Sequence, residues 1–343
     1  MTFPAQACEF TGKGKQPGFK RNPDHGLAGF LLLLLMSMSA VQLHSQGRVV
    51  FEGQVESLVL GTNRMVRVYL PPSYEQFPRK RFPVLYVHDG QNAFTTAGDH
   101  VAFGWGNWAI DKSVTELSRA GRMQEIIVVA VDCSSQRYLD YRGPAYPYSA
   151  EELGALKRRP SAPGDDSRFD RHARFLIEEL KPKIDRDYRT KRDRANTAVM
   201  GSSMGGICSI ALAWQRPDVF GKAASLSGAF QVEKQHFLRT VLGRHSGKPK
   251  RFKAYIDSGV VDYSGGDDDC ALNRSVAVEL RRLGWKDGRD LLHYVDEHPL
   301  GEPELEKLGL RRNKWAEAQT SQHNEFYWRV RTPRALMFLF PAK

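Results

Sequence analysis

TAVMGSSMGGICSIALAWQ, residues 197–215, starts as a short apolar strand, turns through G-S-S-M-G-G and continues as an apolar run of helical length. Gly201, Ser203 and Gly205 fall on a G-x-S-x-G pattern, and the context makes it specific. A turn this tight between strand and helix forces its central residue into a strained backbone conformation and lifts that side chain clear of the sheet, while small glycines keep the adjoining backbone away. Ser203 is the central residue; Ser202 falls off the pattern and reads as a cap or support of the turn. A glycine-rich turn alone would be only a flexible connection, but the helix start behind this one also favours developing negative charge.

Outward from this turn, strand and helix alternate without repeat, low-complexity tract or linker, which predicts one α/β domain with a mostly parallel central sheet flanked by helices on both faces. Strands are expected at Val49–Leu60, Met65–Leu70, Val84–His88, Ile126–Val131, Thr197–Met200, Ala223–Leu226, Phe252–Ile256 and Leu291–Val295. Unbroken apolar runs such as IIVVAV mark strands covered on both sides. Helical spacing covers Trp108–Arg119, Ser167–Asp187, Met204–Gln215, Leu272–Leu283 and Thr332–Phe340. Two segments stand apart as insertions and candidate lids or pocket walls, Ser149–Asp166 and Pro299–Gln322.

A serine hydroxyl needs a base to take its proton and an acid to orient that base, and on the α/β-hydrolase fold the chain order is Ser, then Asp or Glu, then His. His323, in the loop TSQHNEFYW before the last helix, is the favoured base, with His298 as runner-up. Asp262, in IDSGVVD after the strand FKAYI, is the favoured acid. Asp257 lies nearer the strand end, and the run Asp267, Asp268, Asp269 reads as a solvated loop or a weak calcium site. Two N–H donors should face the oxyanion: the backbone of Met204, after the nucleophile, and that of Gln91 in HDGQN, where Gly90 allows close backbone approach. Neither a metal nor an organic cofactor is required by such chemistry.

Residues 27–43, LAGFLLLLLMSMSAVQL, follow Lys13, Lys15, Lys20 and Arg21 and precede polar His44, Ser45 and Gln46. The apolar stretch Leu27–Val41 is 15 residues, short of the ~20 that span a bilayer. Residues 1–45 therefore read as a signal peptide or membrane-targeting segment, residues 46–343 as the mature domain, and the product as secreted or periplasmic. Membrane contact would run only through an uncleaved leader. Removing residues 1–45 lowers the formal charge from +11 to +9. The remaining Lys and Arg alternate with acids and lack interleaved aromatics, which argues against nucleic-acid binding. Cys133, Cys208 and Cys270 have no zinc-type spacing, and Cys133 with Cys270 is the pair that a sheet edge could bring together.

The segments VRVYLPPSY, FPVLYVHDGQNAF, IIVVAVD, RYLDY, FLIEELKPKIDRDYRT, VMGSSMGG, RPDVFGKAASLSG, DSGVVD and HNEFYWRVRTPRALMFLF resemble, in this order across residues 64–340, the esterase family that includes enterochelin esterases, feruloyl esterases and S-formylglutathione hydrolases. The resemblance implies an α/β-hydrolase fold and a serine carboxylic-ester hydrolase with Ser203 as nucleophile, Asp262 as acid, His323 as base, and Gln91 and Met204 as oxyanion donors. It also draws attention to Arg137, Asp140 and Tyr141, which match the family's R-x-x-E-Y with Asp in place of Glu; an ion pair holding a loop is their structural alternative. Trp105 and Trp108 are candidates for an aromatic pocket or for the core. Expected substrates are small or polysaccharide-linked feruloyl and acetyl esters, level with siderophore-type esters. A serine-triad acyltransferase and a non-catalytic carbohydrate- or surface-binding member of the fold are the alternatives.

Overall fold

The computed structural model describes residues 46–155, 168–248, 250–307 and 321–342. The leader, most of Ser149–Asp166 and most of Pro299–Gln322 lie outside them. Eight strands form one sheet in the order β1-β2-β4-β3-β5-β6-β7-β8. β1 (Arg48–Ser57) and β2 (Thr62–Leu70) are antiparallel, turning at Gly61 with φ +64. The six that follow are mutually parallel: β3 (Val84–His88), β4 (Ile127–Val131), β5 (Thr197–Ser202), β6 (Lys222–Leu226), β7 (Lys253–Gly259) and β8 (Leu291–Asp296).

Every residue of β3, β4 and β5 is buried, because each strand has a core on both faces. Strand alternation divides them: Val84, Tyr86, Ile127, Val129 and Val199 belong to one apolar cluster, Leu85, Val87, Val128, Ala198 and Met200 to the other. The first cluster is closed by α3 (Arg168–Arg174), which runs through a π-turn into α4 (Lys181–Asp187), by α5 (Met204–Gln215), and by α6 (Cys270–Arg282). The second is closed by α1 (Ile110–Arg119) and α7 (Glu325–Leu339). Between α1 and α3 runs the short α2 (Arg137–Tyr141). Residues Met204 to Trp214 of α5 are all buried, so this helix has no polar face.

All eight strand positions follow the apolar runs to within three residues, five of them to within two, whereas α7 starts two turns before Thr332. Pro333 lies inside α7 rather than at its start, and Asn324 is the cap, its side chain accepting from the Tyr327 N–H at 3.3 Å. Cys133, Cys208 and Cys270 are free thiols. Three strands, β3, β5 and β6, separate the exit of β4 from that of β7, which keeps Cys133 and Cys270 apart. Among the described residues no helix is long and apolar enough to cross a membrane.

Candidate active site

The loops after β3, β5, β7 and β8 all leave the C-terminal edge of the parallel strands, where α/β sheets gather their chemistry. β3 and β5 are direct neighbours, paired from Val84 with Thr197 to Val87 with Met200. The loop carrying Gln91 and the turn carrying Ser203 therefore emerge side by side.

Ser203 has φ 53 and ψ −120, the strained conformation expected of a strand-to-helix elbow. Two bonds to the start of the β6 loop hold it there: its N–H donates to Leu226 O at 2.9 Å and its carbonyl accepts from Ala229 N–H at 2.9 Å. Gly201 is required because a Cβ there would stand 2.5 Å from the backbone of Gly205.

His323 Nε2 is 3.0 Å from Ser203 Oγ, and its Nδ1 is 2.6 Å from Asp268 Oδ1. The expected acid, Asp262, is not the partner. β7 runs on to Gly259, and the chain then makes a tight turn in which the Asp262 carboxylate accepts from the N–H of Ser264 and its carbonyl from Gly265. That turn carries the chain back, so that Asp268, at φ 53, points inward and is wholly buried. The acidic run is thus not uniformly solvated, and its middle member supplies the carboxylate.

The second oxygen of Asp268 accepts from Ser227 Oγ at 2.7 Å and from Gly259 N–H at 2.5 Å. Ser227 in turn accepts from Trp328 Nε1 at 3.1 Å and from the Arg331 guanidinium at 2.6 Å, so its hydroxyl proton is committed to the carboxylate. Arg331 is buried between Asp257, 3.4 Å away, and Asp268, 3.7 Å away. Burial pushes Asp257 up to about 6, against the pull of Arg331. Asp268, Ser227, Trp328 and Arg331 have no motif that distinguishes them; only the pairing of β7 with the helix after His323 assembles them.

Gln322 fixes the histidine loop to the strand ends. Its Oε1 accepts from Val260 N–H at 2.7 Å and its Nε2 donates to Asp296 O at 2.9 Å. A Cβ on Gly259 would sit 2.3 Å from the Gln322 Cβ, so the loop approaches the strand closely only because that residue is glycine.

The loop after β3 begins with Asp89 in the left-handed region, φ 56 and ψ 47. Arg137 clamps Asp89 by two bonds of 2.7 Å, one to each carboxylate oxygen, and Tyr141 Oη accepts from Asp89 N–H at 3.4 Å. Asp140 points the other way, into a buried ion cluster with Arg64 and Arg168, each at 2.8 Å. Arg137 and Tyr141 thus hold the Asp89–Gln91 loop while Asp140 anchors α2. Gln91 is locked by its side chain, Nε2 donating to Cys133 Sγ at 3.3 Å and Oε1 accepting from Cys133 N–H at 3.2 Å. Its backbone N–H and that of Met204 lie in the first turns of their helices, where amides have no intrahelical acceptor. Gly90 allows this approach, since a Cβ would meet the backbone of Ala130 and Val131 at 2.6 Å.

Trp108 is core, packed on Trp328 with ring centroids 5.8 Å apart. Exposed Tyr263 stands edge-on to His323 at 6.1 Å. Beside the site, burial pushes the Glu325 carboxyl up to about 7, and Asn92 Nδ2 donates to it at 3.0 Å.

The sequence profile of the family described as "Putative esterase" matches residues 57–333. The endo-1,4-beta-xylanase/feruloyl esterase of Xylanibacter ruminicola is 28% identical over 230 residues, 66% of this chain and 26% of that protein. The ferri-bacillibactin esterase BesA of Bacillus subtilis is 25% identical over 182 residues, 52% of this chain and 58% of that one. The chain therefore matches less than two thirds of the length of either relative. A solved ferulic acid esterase superposes with a TM-score of 0.60 at 19% identity, covering 86% of this chain and 98% of that one, and shows the same α/β-hydrolase fold.

Proposed function

This chain belongs to the esterase family matched over residues 57–333; from that membership we propose that it is a carboxylic ester hydrolase that works by two-step acyl transfer on Ser203. The observation that carries the proposal is His323 bridging Ser203 Oγ and the buried Asp268 carboxylate. Asp268 accepts from Nδ1–H and so keeps the Nε2 lone pair directed at the hydroxyl. As Oγ attacks the ester carbonyl, Nε2 takes its proton, and the carbonyl oxygen, now an oxyanion, accepts from the N–H groups of Gln91 and Met204. Collapse breaks the acyl–oxygen bond and the alcohol leaves with the proton from His323. Water then repeats the sequence and releases the acid.

Polysaccharide-linked feruloyl or acetyl esters are the proposed substrates, supported by the match to the feruloyl esterase of Xylanibacter ruminicola and by exposed Tyr263 beside His323. Siderophore-type esters are the second reading, favoured by the match to the ferri-bacillibactin esterase. The proposal includes export, because of the basic and apolar pattern of residues 13–43. Hydrolysis of p-nitrophenyl acetate and of a panel of feruloyl, acetyl and trilactone esters tests it. The folded Ser203→Ala variant should lose roughly 10⁴-fold or more of kcat/KM on whichever ester is cleaved. Equal rates for the variant and the parent would reject Ser203 as nucleophile.

A further inference from the structure

His88 at the end of β3, His172 on α3 and Cys208 on α5 meet in the core. All three side chains are essentially inaccessible to solvent. One donor atom from each lies within 4.8 Å of the other two, and among the described residues this is the group of His, Cys, Asp or Glu side chains so placed. The ring centroids of His88 and His172 are 5.3 Å apart, and the Tyr141 ring covers both, at 4.8 and 5.2 Å.

All four imidazole nitrogens of this pair lack a hydrogen-bond partner among the described residues. A neutral imidazole carries one donor and one acceptor, and leaving such groups buried and unpaired is costly because each has given up a water partner without gaining another. Sequestering two histidines side by side in an apolar core is therefore expensive unless something binds their lone pairs. Two imidazoles and a thiolate are the donor set of borderline to soft cations, Zn²⁺ and Cu⁺, rather than of Ca²⁺ or Mg²⁺.

We propose that His88, His172 and Cys208 form a buried binding site for a thiophilic cation, Zn²⁺ in the first instance, that clamps β3 to α3 and α5 beneath the oxyanion loop. Bond lengths of ~2.0–2.3 Å place tetrahedral donors roughly 3.5 Å apart, so the three side chains close by about 1 Å around the ion. Cys208 gives up its proton on binding and the ion takes the thiolate; no oxidant or reductant is involved. The clamp is structural. His88 immediately precedes Asp89 and Gly90, and Cys208 lies five residues after Ser203, so the ion would tie together the two segments that carry the oxyanion donors. The close fit of α5 to β3 at this level is evident at Gly205, where a Cβ would come within 3.1 Å of the His88 Cβ.

The test uses the full chain purified from Zn²⁺-supplemented culture, with metal content measured after dialysis against a chelator, and the Co²⁺-substituted protein examined by absorption spectroscopy. The expected result is one tightly held Zn²⁺ per chain, a thiolate-to-cobalt charge-transfer band, and a melting temperature that falls when the metal is stripped. The band should disappear in Cys208→Ser and persist in Cys133→Ser. Should Cys208→Ser fail to fold, His172→Gln serves as the second variant, and the metal content of the unaltered chain decides by itself. Folded protein without metal, with no cobalt band and no shift in melting on adding Zn²⁺, overturns the proposal, as does a band that survives loss of Cys208. These readouts are independent of ester hydrolysis.

Discussion

Asp268 and Asp262 lie six residues apart in one acidic loop, and what separates them is burial and direction rather than composition. Asp268 is fully enclosed and accepts from His323, Ser227 and Gly259, whereas Asp262 caps its own turn. Asp268→Asn should therefore cost kcat about 10⁴-fold, by presenting His323 with a donor and turning the ring to the wrong tautomer. Asp262→Asn should stay within a few-fold. Steady-state kinetics of the two folded variants on p-nitrophenyl acetate decides, and the reverse ranking would return the acid to Asp262. The sequence signals for Ser203 and His323 are legible because a G-x-S-x-G elbow and a histidine before the last helix have fixed places along the chain. The acid has no such place: the end of β7 and the loop after it offer Asp257, Asp262, Asp267, Asp268 and Asp269 within thirteen residues, and only the path of the chain selects one.

At the level of elements, the turn between β5 and α5 depends on how closely its two arms approach. Because a Cβ at Gly201 would overlap the Gly205 backbone at 2.5 Å, Gly201→Ala must move the start of α5 or the end of β5. The expected cost is roughly 1–3 kcal/mol of stability, with a larger proportional loss in kcat because Ser203 is displaced relative to His323. Chemical denaturation and kinetics on the same preparation would measure both; unchanged kcat would show that the elbow geometry tolerates the shift. The strands were readable from their unbroken apolar runs, and α5 from its continuous hydrophobicity. α7 reads short in the sequence because Pro333 disguises its middle as a beginning, while its cap, Asn324, stands beside the catalytic candidate His323 and is not preceded by an apolar period.

Across the whole molecule, pH-dependent stability should carry the mark of a carboxyl that folding makes hard to ionise. Burial is the leading cause that pushes the Glu325 carboxyl from the ordinary glutamate range up to about 7. Below about pH 4 it is protonated in both folded and unfolded chains and has no effect. As pH rises, the unfolded chain ionises first, so stability falls through the window between the two values and levels off above about pH 7. Glu325→Gln removes the proton exchange while keeping an acceptor for Asn92. The variant should match the parent near pH 4 and exceed it above pH 8 by up to about 3 kcal/mol. Parallel melting curves of the two proteins across this range would contradict the account. Ser203 as the nucleophile of an ester hydrolase is tested most directly by treating the folded chain with a fluorophosphonate and locating the adduct by peptide mass spectrometry. One adduct is expected, on Ser203, absent from Ser203→Ala and strongly slowed in Asp268→Asn; a folded chain that stays unlabelled, or that carries its adduct on another residue, would contradict the assignment of Ser203.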